Sequence, residues 1–263
     1  MTKTAQNLGY SESQENLSVR IEAHRRFSSF SLEDWLERHL PAAEDGLILD
    51  IGCGNGNLFP AYLKKLNRKG GIVGIDKSRE LLLQAQKAIA DFTPLLLQLD
   101  MNNKLPFLEN TFDYALSAFS IYYADDAEAI IKDVKEVLKP RGEVFLIGPT
   151  ENNAKELYEF NKKLFNLNHS MDEKAAKRTA RLEKEFYPIV KDVFGQAKKE
   201  IIPSKLKFPD KNEFIRYYTA TLLFKESCEK TGIDPSREKL NSIRLESWDI
   251  SKEMAVIHGK KNA

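Results

Sequence analysis

Three apolar runs, each closing on a carboxylate and the first followed by a glycine-rich turn, predict an α/β fold: a doubly wound, mostly parallel sheet. Asp50 stands in the first run, just ahead of the turn Gly52-Cys53-Gly54-Asn55-Gly56-Asn57. Asp76 closes Gly71-Ile72-Val73-Gly74-Ile75, and Asp100 closes Leu95-Leu96-Leu97-Gln98-Leu99. In an open parallel sheet a ligand lies along the carboxyl ends of the strands, so three acids there describe one extended, nucleotide-like ligand.

The elements follow in order. Leu17, Ile21, His24 and Phe27 fall at helical spacing within 17–30, and Leu32, Trp35, Leu36 and Leu40 form a second stripe that stops at Pro41. Strand–helix alternation then begins: strand 47–51, helix 58–66 ended by Gly70-Gly71, strand 72–76, and a helix over 78–91 capped by Ser78. Strands at 95–100, 112–118 and 144–147 follow, the last two separated by a helix over 126–138 that the Pro140-Arg141-Gly142 turn terminates. Beyond Pro149 the pattern changes to amphipathic helices at 151–167 and 172–193, rich in Lys and Glu. A strand over 196–208, helices at 212–229 and 235–248, and a short strand at 253–259 complete the expected set.

Bulk properties narrow the function classes. Lys and Arg number 40 against 39 Asp and Glu, so the balanced charge provides no electrostatic reason for nucleic acid or acidic lipid as a partner. The two cysteines, Cys53 and Cys228, suggest neither a disulfide framework nor a zinc cluster. With a polar start and no long apolar run, a soluble, cytoplasmic protein without a membrane span is the expectation.

The turn discriminates among ligands. A phosphate-binding P-loop needs Lys-Ser/Thr after its glycines, and Asn55-Gly56-Asn57-Leu58 stands there instead. A dinucleotide site uses G-x-G-x-x-G, whereas Gly52-x-Gly54-x-Gly56 follows an acid that would repel a pyrophosphate. Asp50 suits an ammonium, Asp76 can accept from both ribose hydroxyls, and Asp100 can accept from the adenine amine beside Met101. Amino-acid end, ribose and adenine together describe S-adenosylmethionine. The structural alternatives are a tight turn for the glycines, a helix cap for Asp76 and an ordinary loop acid for Asp100.

Asp50-x-Gly52-x-Gly54-x-Gly56, with Asp76 and Asp100 at strand ends, resembles the class I S-adenosylmethionine-dependent methyltransferases. Leu105-Pro106-Phe107 with Thr111-Phe112-Asp113, and Val137-Leu138-Lys139-Pro140-Arg141-Gly142, are similar to two further stretches of that family. The resemblance covers about residues 45–150. It implies a Rossmann-like sheet of seven strands, the last antiparallel, in a single domain over 1–263: a helical lid at 1–45, a cofactor core at 46–150, a helical insertion at 151–195 and closing strands and helices at 196–263. The implied activity is methyl transfer to an oxygen, nitrogen or carbon of a small-molecule acceptor, leaving S-adenosylhomocysteine. An RNA or protein methyltransferase, or a non-catalytic binder of the cofactor, is the alternative.

The cofactor-binding set is Asp50, Gly52, Cys53, Gly54, Asp76, Lys77, Asp100, Met101 and Ala118, with Tyr10 and Arg20 reaching over from the lid. No metal is expected. Family members often carry His where Tyr122 or Tyr123 stands, and a phenol is a poor base at neutral pH, so these tyrosines read as walls rather than bases. His24 is a core histidine on its helical stripe or, one turn from Arg20, a residue facing the ligand. His169 and His258 show no partner in sequence. Lys174, Lys177, Arg178, Arg181 and Lys184 read as a solvated helix face, diluted by Glu173, Glu183 and Glu185. The acceptor and the oligomeric state are not legible.

Overall fold

The computed structural model describes residues 14–42, 45–66, 70–89, 92–168 and 173–263. In chain order α1 (Gln14–Phe27) and α2 (Leu32–His39) lead into β1 (Leu47–Ile51), α3 (Phe59–Lys65), β2 (Gly71–Asp76), α4 (Arg79–Ala85) and β3 (Leu95–Gln98). Then come β4 (Phe112–Ala118), α5 (Ala127–Val137), β5 (Leu138–Pro149), α6 (Lys155–Phe165), α7 (Glu173–Arg181) and α8 (Tyr187–Phe194). The chain ends with β6 (Ala197–Ile202), β7 (Lys205–Lys207), α9 (Lys211–Thr219), α10 (Leu222–Thr231), α11 (Arg237–Ser242), β8 (Asp249–Ser251) and β9 (Met254–Lys260).

The main sheet has seven strands in the order β3-β2-β1-β4-β5-β9-β6. β1 to β5 pair in parallel, and β9 runs antiparallel between β5 and β6. Side chains alternate across the pleat, which sorts the apolar residues into two cores. Leu49, Ile51, Ala115, Val144 and Leu146 face α5 and α8. Ile48, Ile72, Leu116, Phe145 and Ile147 face α2 and α3. Asp50 shares the second face, and this alternation alone delivers its carboxylate beside α3. The chain leaves β1 for β2 on one side and later enters β4 on the other, so a crevice opens at the carboxyl ends of β1 and β4.

Helix starts are set locally. Ser78 Oγ accepts from the Leu81 N–H at 3.3 Å, and Asp126 accepts from Glu128 and Ala129 N–H at 3.0 Å each.

The C-terminal half departs from expectation in four places. The strand expected over 196–208 is two, because Pro203 has no N–H for the ladder; β7 instead pairs with β8 in a separate two-stranded sheet. The helix expected over 212–229 is broken into α9 and α10, with the Thr221 hydroxyl capping the second at Phe224 N–H. Only Arg237–Ser242 of the expected 235–248 segment is helical. The Pro140-Arg141-Gly142 turn lies within β5 as a bulge, with Arg141 in the left-handed region at φ +67°.

α6, α9, β7 and β8 enclose a third core of Leu157, Phe160, Leu164, Leu206, Phe214, Tyr218 and Ile250, forming a cap over the crevice. No helix among the described residues is long and apolar enough to cross a membrane.

His258 does have a partner: its Nε2 lies 2.8 Å from Glu143 Oε2 across β5 and β9, and Lys260 Nζ donates to Glu143 Oε1 at 2.7 Å. These bonds, the one to His258 foremost, hold the Glu143 carboxyl below its ordinary 4.5. A depressed carboxylate stabilises the fold above its unfolded value and loses that contribution as pH falls through the folded one. Glu143→Gln should therefore lower unfolding free energy at neutral pH by about 1–2 kcal/mol. In chemical denaturation that deficit should shrink as the pH drops below 4.5.

Candidate active site

The glycine turn is built from left-handed backbone. Gly52, Gly54 and Gly56 have φ of +72°, +55° and +72°. Gly52 and Cys53 N–H both donate to the Ile75 carbonyl, at 2.8 and 3.0 Å, which ties the turn to the end of β2. A Cβ at Gly52 would lie 2.3 Å from Ser120 Oγ. One at Gly54 would meet only Leu17 Cδ2, at 4.0 Å, so this backbone is open to a ligand. Gly56 differs from both: it faces Phe59 and Ala85 and serves helix packing.

Asp76 is buried, and its two oxygens accept from separate backbone groups. Oδ2 takes the Gly54 N–H at 2.9 Å and Oδ1 the Ser78 N–H at 2.8 Å. Burial pushes this carboxyl up, and the N–H groups of Ser78 and Gly54 oppose the shift. Asp50 is buried more deeply and accepts from Tyr62 Oη at 3.1 Å. Burial raises its pKa to about 7 against the pull of Tyr62, and the nearby Asp76 charge adds to the rise. Asp100, two residues beyond β3, accepts from the Asn102 N–H at 3.0 Å. The Cys53 thiol is buried and pushed up by that burial, away from nucleophilic use.

The end of β4 is pinned to the end of β1. Ser117 and Ser120 hydroxyls lie 2.6 Å apart and both reach the Ile51 carbonyl, at 2.8 and 2.6 Å. Phe119 between them sits in the left-handed region at φ +56°, conformational strain in a non-glycine residue at the crevice mouth. The next residues form a short 3₁₀ turn, Ile121–Tyr123, whose two tyrosine rings pack at 4.7 Å.

These parts open onto a cavity of about 950 Å³. Its wall includes Asp50, Gly52, Cys53, Gly54, Asp76, Lys77, Asp100, Met101 and Ala118, together with Arg20, His24, Tyr122 and Tyr123. Tyr10, expected as a lid residue, lies outside the described residues. His24 faces Tyr217 edge-on at 6.1 Å, and burial with the charges of Lys252 and Arg20 lowers its pKa to about 3, so the imidazole is neutral.

The basic face expected on the 172–193 helix is not simply solvated. Arg178 and Arg181 are buried. Arg178 lies over the Tyr123 ring at 5.7 Å, pairs with Glu226 at 3.0 Å and joins the cavity wall. Arg181 donates to the Tyr122 and Ala124 carbonyls at 2.8 and 2.6 Å and to Glu185 at 2.6 Å, holding the 3₁₀ turn in place. A π-helical turn, Leu182–Phe186, follows directly and shifts the helix register there. Lys184 remains exposed and pairs with Glu151. Sequence reasoning also missed Asn153, Tyr158, Tyr217 and Lys252 on the wall. They come from four separate segments and carry no motif, so only tertiary structure assembles them.

A family model described as a methyltransferase domain matches residues 48–142, the stretch that carries the glycine turn and all three acids of the rim. Residues 48–142 thus carry a methyltransferase domain, in keeping with their resemblance to the class I S-adenosylmethionine-dependent methyltransferases. The chain is 26% identical to the demethylmenaquinone methyltransferase of Bacillus subtilis over 58% of its own length and 63% of the relative's. It is 29% identical to the ubiquinone/menaquinone biosynthesis C-methyltransferase UbiE of Wigglesworthia glossinidia brevipalpis, over 47% of its length and 49% of the relative's. It thus spans about half to just under two-thirds of these curated relatives. The YcgJ protein of Bacillus subtilis has the same fold, at a TM-score of 0.60 and 15% identity over 88% of this chain and 98% of that one.

Gly52→Ala should force a strained φ of +72° and a collision with Ser120. Thermal unfolding should report a loss of about 2–4 kcal/mol, from overpacking plus left-handed backbone. Gly54→Ala, with open space at its Cβ, should lose only the backbone part.

Proposed function

We propose that this chain moves a methyl group from S-adenosylmethionine to an oxygen, nitrogen or carbon atom of a small-molecule acceptor. The observation that carries the reading is the Asp76 carboxylate, fixed by Gly54 and Ser78 N–H at the switch point of the sheet and facing the cavity. The residues fit such a cofactor. The backbone at Gly54 is open, and the buried Asn55 amide oxygen beside it has no protein partner.

In this reading Asp76 takes the ribose hydroxyls with the lone pairs its two N–H bonds leave free. Asp50 faces the ammonium, and Asp100 with Met101 meets the adenine. When bound, S-adenosylmethionine supplies a methyl group already activated by a sulfonium, which a nucleophile displaces in line. The chain's part is then positioning and exclusion of water, which can supply about 7–11 kcal/mol of the barrier. Tyr122 and Tyr123 wall the crevice where β4 ends, and Arg181 holds their turn rigid through two carbonyls. No general base is required of them. His24, being neutral, is able to accept a proton but lies against Tyr217 in the cap.

The two curated relatives are named for quinone methylation. The family match covers residues 48–142 alone, so the acceptor has to be read from the cavity's own chemistry.

S-adenosylhomocysteine should accumulate when the protein is incubated with S-adenosylmethionine and a metabolite extract; binding without product would reduce the chain to a binder. Asp76→Ala should weaken cofactor binding by about 1–3 kcal/mol in calorimetry, the scale for losing a charge-assisted hydrogen bond. Asp50 sets a pH dependence. Its raised pKa means that ionisation costs the folded state stability as pH rises from 3.8 to about 7, and a bound ammonium offsets that cost. Cofactor affinity should therefore rise between about pH 6 and pH 8 with release of a proton. Calorimetry in buffers of different ionisation enthalpy measures that proton.

A further inference from the structure

The cavity continues past the acidic rim along the same sheet edge, towards β5 and β9, where Lys252 joins its wall beside Glu253. Lys252 precedes β9, and its backbone N–H is anchored on the Ser204 carbonyl at 2.7 Å. Its side chain lines the cavity, half-buried, with Nζ donating to Tyr217 Oη at 3.3 Å. Among the described residues no carboxylate pairs with it. Two acids of adjoining segments are engaged elsewhere: Glu253 accepts from Thr150 and Asn152, and Glu156 from Ser251. A half-buried ammonium whose hydrogen-bond partner among the described residues is a phenol oxygen is poorly compensated.

A second observation stands beside it. The Ala154 N–H donates to the Ser251 carbonyl at 2.7 Å, which draws Asn153 next to the Lys252 segment. Asn153 is 9% exposed, lines the same cavity, and its side-chain oxygen is buried without a hydrogen-bond partner. A buried acceptor left unmet is costly, and a ligand N–H or O–H would supply the missing bond. Tyr217 spends its oxygen lone pair on Lys252 and keeps its own O–H to give.

We propose that the methyl acceptor carries an anionic group, a carboxylate or a phosphate, held by Lys252 with the Tyr217 hydroxyl, and beside it an N–H or O–H that donates to Asn153. This inference rests on the methyl-transfer reading and adds the substrate class to it. The sheet edge is then divided. Asp50 of β1 faces the cationic end of the cofactor, Asp76 and Asp100 its ribose and adenine, and the cation beside β9 faces the acceptor.

The test uses protein saturated with S-adenosylhomocysteine and two matched probe pairs: p-hydroxybenzoate with its methyl ester, and phenyl phosphate with phenol. In calorimetry the anionic member of at least one pair should bind about tenfold more tightly than its neutral partner, the worth of one charge-assisted bond. Which pair shows the preference distinguishes carboxylate from phosphate. Lys252→Met, which keeps the stem and removes the charge, should abolish the preference. Asn153→Asp, nearly isosteric, should weaken the anion by setting a like charge beside it. S-adenosylhomocysteine affinity should stay unchanged in Lys252→Met. No anion preference in either pair, or a preference that survives Lys252→Met, overturns the proposal. A fall in S-adenosylhomocysteine affinity in that variant also overturns it, because Lys252 would then hold the cofactor's own carboxylate. Failure of the wild-type protein to bind S-adenosylhomocysteine at all would instead strike the methyl-transfer reading beneath it.

Discussion

The Asp76 carboxylate joins two strand ends that the chain reaches 22 residues apart, and the rest of the crevice takes its shape from that junction. One oxygen fixes the turn after β1 and the other starts the helix after β2. Because both bonds run to backbone N–H groups, side-chain variation nearby does not disturb them. The left-handed glycines let the turn double back closely enough for the Gly54 N–H to point at the acid. The Ile75 carbonyl, accepting from Gly52 and Cys53, closes the same junction from the main-chain side. Ser117 and Ser120 make the corresponding joint between β1 and β4. Three strand ends are thereby locked around one opening.

Burial then converts this geometry into electrostatics. Asp50 lies under the turn with Tyr62 as its hydrogen-bonding partner, so its charge is costly until a cation arrives. Further along the edge, burial, reinforced by the positive charges of Lys252 and Arg20, keeps His24 neutral. A single cavity holds both regions, which gives a bound pair of molecules a defined head-to-tail order.

The strands of the parallel sheet and the acids at its edge were legible because they are local. Short continuous apolar runs, a glycine turn of fixed spacing and caps such as Ser78 each declare themselves within ten residues. The cap was legible only in part. Pro203 gives the break between β6 and β7 a visible cause, yet the pairing of β7 with β8 joins segments over 40 residues apart and leaves no local mark. Arg178 and Arg181 illustrate the same limit. On a helix rich in Lys and Glu they look solvated, and what buries them is the 3₁₀ turn after β4, some 57 residues earlier. Phe119 adopts a glycine-like conformation without being glycine, so composition could not announce it.

The cap has an apolar interior of its own, in which Phe160, Leu206, Phe214 and Ile250 form a cluster separate from both faces of the main sheet. Drift in that interior can therefore proceed without unsettling the half that carries the glycine turn. Under the proposed methyl transfer, a lineage built this way is free to exchange its acceptors while its methyl donor stays the same, and grafting such a cap onto a related sheet is the corresponding route for the engineer.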